Sequence, residues 1–250
     1  MKRVGSNLLY MCCFLLISVV LVAICIGMWF LAKVNFSEFG TDSLTDKGVN
    51  LSASEPCLII DAGHGGEDGG AVGVLGTLEK DLNLAVASTM ECYAKVLGIP
   101  VQMTRSEDCL LSGDAVSARK NADLKNRTLI AKEHPEAVFL SIHMNSFVGA
   151  KCQGLQVFYS KNHERSKEIA QSIQELCATV LQKDNTRVPK AAGSNIYLLD
   201  RIQNPAVLVE CGFISDAEEE QRLCSEKYQK QTALMILGAV CPFLQYTKEP

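Results

Sequence analysis

The chain has 250 residues, enough for one catalytic domain and a short additional segment. Its formal net charge of −4 and pI near 5.6 exclude the strongly basic surface typical of nucleic-acid-binding proteins, so no nucleic acid is expected as a partner. Apolar residues make up 48% of the sequence, a share raised by one long apolar run near the N-terminus.

That run covers residues 8–32, contains no charged residue and is long enough to cross a bilayer. Lys2 and Arg3 precede it, and positive residues stay on the cytoplasmic side of a membrane. We therefore predict that residues 1–33 form a cytoplasmic tip and a single transmembrane signal anchor. The protein is then expected at the cell membrane, with the remaining chain outside the cytoplasm or in the space between the two membranes of a forespore.

Two other fates of the N-terminus remain open. The run could be a signal peptide, but it is long for one and lacks a small-x-small cleavage site before Lys33. Cys25 could be a lipoprotein cysteine, although the bulky Ile24 before it fits that processing poorly. Residues 34–55 are polar and predict a flexible spacer, so residues 56–250 are predicted to be the catalytic domain.

Three apolar runs of that domain end in side chains that can bind a metal or move a proton. The first, from Leu58, leads through Asp61 to His64, which lies between glycines that allow a sharp turn. The second ends at His143 and the third at Glu210. Short apolar runs of this kind predict buried strands.

The segments between these runs show helix and strand patterns in alternation. This order predicts an α/β fold, a three-layer sandwich with a largely parallel mixed sheet. Ligands of such sheets bind beyond the carboxyl ends of the strands, so the two histidines and the glutamate can converge there. Helices are predicted from Glu79 onward and at residues 118–133, 164–181 and 226–243. A capping box at residues 215–218 predicts the start of another helix. The further predicted strands are residues 99–104, 154–159, 195–199 and 206–210.

Two histidines and one carboxylate match an open catalytic zinc site, which leaves a fourth position for water. His134 and His163 are predicted to be surface residues. Solvent-exposed positions are also expected for three arginines that could otherwise meet an acidic substrate, Arg105, Arg127 and Arg201.

Eight cysteines follow the apolar run: Cys57, Cys92, Cys109, Cys152, Cys177, Cys211, Cys224 and Cys241. An even number in an exported domain can indicate disulfides. Their spacings are irregular, however, and a domain of this size can build its own core. We expect most of them to be small buried hydrophobic residues.

Four motifs resemble those of zinc-dependent N-acetylmuramoyl-L-alanine amidases of type 3. They are Asp61-Ala-Gly-His-Gly-Gly66, Leu78-Glu-Lys80, Ser141-Ile-His-Met-Asn-Ser146 and Leu208-Val-Glu-Cys-Gly-Phe213. The likeness covers residues 57–243. Within the family the chain is most similar to the sporulation-specific amidases of the spore cortex, because it combines a short anchor with Tyr197-Leu-Leu199 and carries no added wall-binding repeat.

The resemblance implies a single zinc ion held by His64, Glu79 and His143, with Glu210 as the catalytic acid and base. Apolar neighbours such as Val209 are expected to raise the pKa of that glutamate. Two residues are candidates for a supporting role around the metal: Asp61, which could orient a ligand histidine, and Asn145, which could hold the loop after His143.

The implied activity is hydrolysis of the amide between N-acetylmuramic acid and L-alanine in peptidoglycan, in cortex maturation before muramic lactam formation. Two alternatives remain open. Similar zinc sites serve wall peptidases and deacetylases, and an anchored wall-binding protein could carry an inactive site. An accessory protein partner is possible and cannot be identified from the sequence.

Overall fold

The fold was analysed in a computed structural model, which describes residues 57–112, 119–147, 149 and 152–244. The predicted membrane anchor and spacer lie outside the described residues. Within the described part of the chain, none of the helices has the length and apolar character needed to cross a membrane. The domain boundaries therefore stay predictions.

The described chain forms a six-stranded mixed sheet with helices between the strands. The strands are β1 (Leu58–Ala62), β2 (Val101–Met103), β3 (Val138–Asn145), β4 (Gln156–Tyr159), β5 (Lys190–Ala191) and β6 (Ala206–Phe213). Their order across the sheet is β2-β1-β3-β6-β4-β5. The first four strands of that order run parallel, and β4 is antiparallel to β6. The predicted mixed and largely parallel sheet is thus confirmed.

Helices connect the strands and cover both faces of the sheet. They are α1 (Glu79–Val96), α2 (Arg119–Glu133), α3 (Arg165–Leu176), α4 (Tyr197–Arg201), α5 (Ala217–Leu223) and α6 (Glu226–Val240). A π-helical turn, Cys177–Leu181, extends α3, and a 3₁₀ turn, Cys241–Phe243, follows α6 where Pro242 interrupts it.

Side chains of successive strand residues point to opposite faces, so each face has its own apolar cluster. One cluster joins Leu58 and Ile60 of β1 to α1, α3 and α6. The other joins Ile59 of β1 to α2 and α4. Two helical layers therefore enclose the sheet, as the sandwich prediction requires. The strands β1, β3 and β6 are buried almost throughout, which matches their continuous apolar runs.

Two predictions of local structure are wrong. Residues 195–199 do not form a strand: the segment from Tyr197 is the short helix α4, whose Leu198 and Leu199 pack into the second cluster. The place beside β4 is taken by the short strand β5, which the sequence analysis missed. The capping box is displaced by one residue, because Asp216, not Ser215, accepts a hydrogen bond from the N–H of Glu219 at the start of α5.

The eight cysteines all lie in the described part of the chain, where none of them forms a disulfide, and their exposure varies. The expectation of buried hydrophobic residues holds for Cys57, Cys177 and Cys211, where burial raises the pKa of each thiol. It is wrong for Cys92 and Cys224, which are exposed. The remaining three are partly exposed.

Candidate metal centre

The turn after β1 places His64 at the carboxyl edge of the sheet. His64 has a φ of 60°, a left-handed conformation that non-glycine residues adopt rarely and that marks a constrained position. Gly63 before it cannot be replaced by a larger residue, because a Cβ atom there would lie 2.2 Å from Nε2 of His143. The glycine therefore lets the end of β1 approach the second histidine.

His64, Glu79 and His143 converge although they belong to three different elements. The Oε2 atom of Glu79 lies 3.3 Å from Nε2 of His64, and its Oε1 atom lies 2.8 Å from Nδ1 of His143. The two imidazole rings are 5.0 Å apart and nearly perpendicular. One nitrogen or oxygen atom from each residue lies within 4.8 Å of the others. The structure thus brings together the three predicted ligands.

Backbone donors from two segments fix the carboxylate of Glu79, which is the first residue of α1. The N–H groups of Ala71 and Met144 donate to it at 2.8 and 3.2 Å. Burial alone would raise the pKa of Glu79, but the hydrogen bonds and charges of the two histidines outweigh burial and hold the pKa well below its usual range. Glu79 is therefore an anionic group, suited to hold a cation.

Asp68 is a part of the site that the sequence analysis missed. Its Oδ2 atom lies 3.0 Å from Nδ1 of His64, on the side of the ring opposite to Glu79, and 3.2 Å from Nζ of Lys120. Burial would lower the pKa of His64, whereas Glu79 and Asp68 together raise it. A carboxylate on the outer ring nitrogen commonly fixes the orientation of a metal-binding histidine. The available signal was the spacing of four residues between His64 and Asp68.

Among the described residues Asp61 accepts no hydrogen bond from a histidine ring, in contrast to the prediction. Its carboxylate accepts hydrogen bonds from the hydroxyls of Thr104 and Ser141 at 2.8 and 2.6 Å, and from the guanidinium of Arg127. These donors take both oxygens, which are fully buried on β1. Burial would raise the pKa of Asp61, but the charge of Arg127 and the hydrogen bond from Ser141 lower it.

The exposed positions predicted for Arg105 and Arg127 are also wrong. The two residues are 3% and 1% exposed, and they donate to the backbone carbonyls of the turn that carries His64. Arg105 donates to the carbonyls of Ala62 and Gly63, at 2.9 and 3.0 Å, and Arg127 donates to those of Ala62 and His64, both at 2.8 Å. Both arginines are therefore parts of the interior that shape the metal centre.

Arg201 does lie on the surface, with its side chain 63% exposed beside Tyr197, as predicted. The remaining histidines, His134 and His163, do not belong to the group of potential ligands. Asn145 ends β3, and its backbone carbonyl accepts a hydrogen bond from Ile214. The supporting role of its side chain stays a prediction.

Glu220 of α5 holds the loop that leads into the ligand Glu79. It is fully buried, and its two oxygens accept from the N–H groups of Leu75 and Thr77, at 2.7 and 3.1 Å. A Cβ atom on Gly73 would lie 2.2 Å from Oε1 of Glu220, so that glycine allows the close contact. Glu220 thus connects α5 to the start of α1.

Glu210 lies beside His143 in the register of β3 and β6, at the carboxyl edge. Its Oε2 atom is buried and has no hydrogen-bond partner among the described residues. Burial raises the pKa of Glu210 to about 7, and the negative charge of Glu79 adds to the increase. A carboxyl group with such a pKa can accept and return a proton near neutral pH.

Comparisons with known proteins agree with this geometry. The profile of the N-acetylmuramoyl-L-alanine amidase family matches residues 58–241. The germination-specific N-acetylmuramoyl-L-alanine amidase of Bacillus subtilis (strain 168) is 33% identical over 224 residues, which cover 88% of this chain and 92% of the relative.

Solved structures show the same similarity. The CwlD amidase from Clostridioides difficile, determined in complex with the GerS lipoprotein, superposes with a TM-score of 0.71 and 37% identity, covering 74% of this chain and 96% of that one. The catalytic domain of CwlV, an N-acetylmuramoyl-L-alanine amidase from Bacillus (Paenibacillus) polymyxa var. colistinus, gives a TM-score of 0.64 and 32% identity, covering 75% of this chain and 97% of that one.

Proposed function

The chain belongs to the N-acetylmuramoyl-L-alanine amidase family and hydrolyses the amide between N-acetylmuramic acid and L-alanine in peptidoglycan, and we propose that it does so with a zinc ion held by His64, Glu79 and His143. The observation that carries the proposal is the convergence of two imidazoles and one carboxylate at the carboxyl edge of the sheet. This donor set suits zinc and leaves a coordination position free. Bound there, zinc would polarise the amide carbonyl and lower the pKa of water.

The proton transfers are assigned to Glu210. An amine is a poor leaving group as an anion, so the departing L-alanine nitrogen needs a proton. The buried carboxylate beside His143 takes a proton from the attacking water and then donates it to that nitrogen. The raised pKa of Glu210 supports this role, because both protonation states are accessible near neutral pH.

We propose that the substrate is spore-cortex peptidoglycan, from which the enzyme removes peptides before muramic lactam formation. The support is the similarity to a germination-specific amidase over most of both chains. Digestion of purified cortex and vegetative wall, with mass spectrometry of the fragments, tests the proposal. We expect stem peptides headed by free L-alanine, released faster from cortex. Cleavage elsewhere in the peptide, or loss of acetyl groups alone, would favour a peptidase or a deacetylase.

The proposed location is the cell membrane, with a single-pass anchor at residues 8–32 and the amidase domain outside the cytoplasm. The support is the long apolar run behind Lys2 and Arg3. Protease digestion of right-side-out and inverted vesicles is the test. Digestion of the domain from the outside is expected, and cleavage in inverted vesicles alone would contradict the proposal.

An accessory protein partner is also proposed. The support is the structure of the C. difficile CwlD amidase in complex with the GerS lipoprotein. Affinity purification of the full chain from sporulating cells should retain a second protein in constant ratio, and recovery of the amidase alone would count against it.

A further inference from the structure

Three consecutive residues of the turn after β1 have a left-handed backbone. The φ angles of His64, Gly65 and Gly66 are 60°, 138° and 55°. Glycine adopts such angles readily, whereas for a residue with a Cβ atom they cost free energy. The conformation of the first proposed zinc ligand therefore depends on contacts that hold the turn from outside.

Lys80 and Asp108 enclose the last residue of this turn. The N–H of Gly66 donates to Oδ1 of Asp108 at 2.7 Å, and Nζ of Lys80 donates to the carbonyl oxygen of Gly66 at 2.8 Å. The same Nζ lies 2.6 Å from Oδ2 of Asp108. The two side chains and the backbone of Gly66 therefore form a closed ring of three hydrogen bonds, which we call the Gly66 clamp.

The Gly66 clamp joins the turn to two other segments near the metal centre. Lys80 lies in the first turn of α1, directly after the proposed ligand that opens this helix, and Asp108 belongs to the segment after β2. That segment packs closely on the turn, because a Cβ atom on Gly65 would lie 2.2 Å from the carbonyl oxygen of Cys109. The clamp thus links the two elements that carry the first and second proposed ligands.

The charges of the two side chains strengthen the Gly66 clamp and make it sensitive to salt. Hydrogen bonds in which the donor or the acceptor is ionised are roughly twice as strong as neutral ones. The side chain of Lys80 is 12% exposed, so its ammonium group is largely shielded, whereas that of Asp108 is 48% exposed. Salt ions screen such an accessible charge, and the contribution of the clamp therefore falls as the ionic strength rises.

We propose that Lys80 and Asp108 are positioning residues, which hold the left-handed turn so that His64 faces the other two proposed zinc ligands. The inference rests on the proposed zinc site. Asp68 contacts the ring of His64, whereas the Gly66 clamp acts on the backbone that carries the ring. Loss of the clamp should therefore weaken zinc binding although every ligand remains.

The zinc affinity of the full chain, measured by competition with a chelator, tests the inference. Lys80→Met keeps the length of the side chain and removes its charge, and Asp108→Ala removes the other half of the clamp. We expect each change to raise the Kd for zinc about tenfold, because each removes hydrogen bonds to a charged group. Lys80→Arg can donate to both partners and should retain most of the affinity. Lys95→Met, which breaks an ion pair with Glu91 on the same helix, is the matched control.

The double variant and the response to salt separate the clamp from general damage to the fold. Because both side chains act through one ring, the variant that lacks both should lose little more affinity than either single variant. Raising the ionic strength from about 0.1 M to about 1 M should weaken zinc binding more in wild type than in Lys80→Met. Additive losses and equal responses to salt would contradict the clamp.

Amide hydrogen exchange of the metal-free protein gives a readout that does not depend on zinc. The N–H of Gly66 should exchange faster in Lys80→Met and Asp108→Ala than in wild type and Lys95→Met, because it has lost the support of the clamp. Equal zinc affinities or equal exchange rates of Lys80→Met and Lys95→Met would overturn the inference. A wild-type protein that bound no zinc would instead refute the proposed zinc site itself, and this inference with it.

Discussion

Arg127 and Asp61 form an ion pair in the interior of the protein, with side chains that are 1% and 0% exposed. The same guanidinium donates to the carbonyls of Ala62 and His64. The pair therefore connects α2 to the end of β1 and to the turn that carries the first proposed zinc ligand.

Replacing Asp61 by Asn should destabilise the protein strongly. The amide leaves the guanidinium of Arg127 buried without its full counter-charge, and breaking such a pair typically costs about 3–5 kcal/mol. Urea denaturation of the variant and of wild type measures the difference in unfolding free energy. Asp81→Asn, an exposed change in the first turn of α1, is the control and should have little effect. A loss as small as that of the control would contradict the assigned role.

The same pair predicts a pH dependence. The pKa of Asp61 is lower in the folded protein than its ordinary value of 3.8. Its contribution to stability is therefore fully present above pH 3.8 and is lost as the pH falls through the folded pKa. Between pH 5 and pH 2 the unfolding free energy should fall more steeply for wild type than for Asp61→Asn. Parallel curves in urea titrations would argue against this.

Alanine at His64 or His143 should abolish stable zinc binding, because each removes one of only three protein ligands. His134→Ala and His163→Ala should retain one zinc per chain, since neither residue belongs to the group. Metal analysis of the four purified proteins decides between these outcomes. Full zinc content in His143→Ala would refute the assignment.

Asp68→Asn should weaken zinc binding without removing a ligand. The carboxylate accepts from Nδ1 of His64, and loss of such an outer partner typically lowers metal affinity about 10-fold to 100-fold. Competition with a chelator gives the affinity, with Asp81→Asn again as the control. Equal affinities of Asp68→Asn and the control would show that the turn alone orients His64.

Glu220→Gln should loosen the loop before Glu79. One of the two backbone donors, Leu75 or Thr77, then faces an amide N–H₂ in place of an acceptor, an unmade buried hydrogen bond that costs about 1–3 kcal/mol. We expect lower stability and weaker zinc binding together. Glu226→Gln, an exposed change on α6, serves as the control. Zinc affinity unchanged despite lower stability would limit Glu220 to a structural role.

Glu210→Gln should keep its zinc and lose its activity. The side chain keeps its shape but cannot carry a proton, and general acid–base groups typically contribute about 10² to 10⁴-fold. We expect a fall of at least about a hundredfold in kcat with a smaller change in KM. A variant without metal would make Glu210 chiefly a ligand, and near-normal turnover would assign the proton transfer to another residue.

The proposed ligands could be predicted because each one ends a buried run or opens a helix, and strand ends of a parallel sheet converge. His64, Glu79 and His143 all follow this rule. The helix at Tyr197 could not be distinguished from a strand, because a short apolar segment fits both patterns and only the position of β5 decides between them.

The roles of Arg105 and Arg127 could not be predicted from the sequence, for a different reason. Arginine is usually exposed, so burial of Arg105 and Arg127 could not be expected. Apart from the carboxylates that bind Arg127, their partners near the site are the backbone carbonyls of Ala62, Gly63 and His64, which any sequence offers equally. Only the direction of the turn shows that these carbonyls point inward and need donors. The contact of Asp68 with His64 likewise depends on that turn.

The strand order has a consequence for how metal and folding are coupled. Glu79 and His143 are 64 residues apart, and β3, which carries His143, lies between β1 and β6 at the centre of the sheet. The ligand set is therefore complete only after β3 has paired with β1, a contact that closes a long loop. We therefore expect the proposed zinc ion to stabilise the native state more than the folding transition state. Such an ion would slow the unfolding of the finished domain and leave the rate of folding almost unchanged.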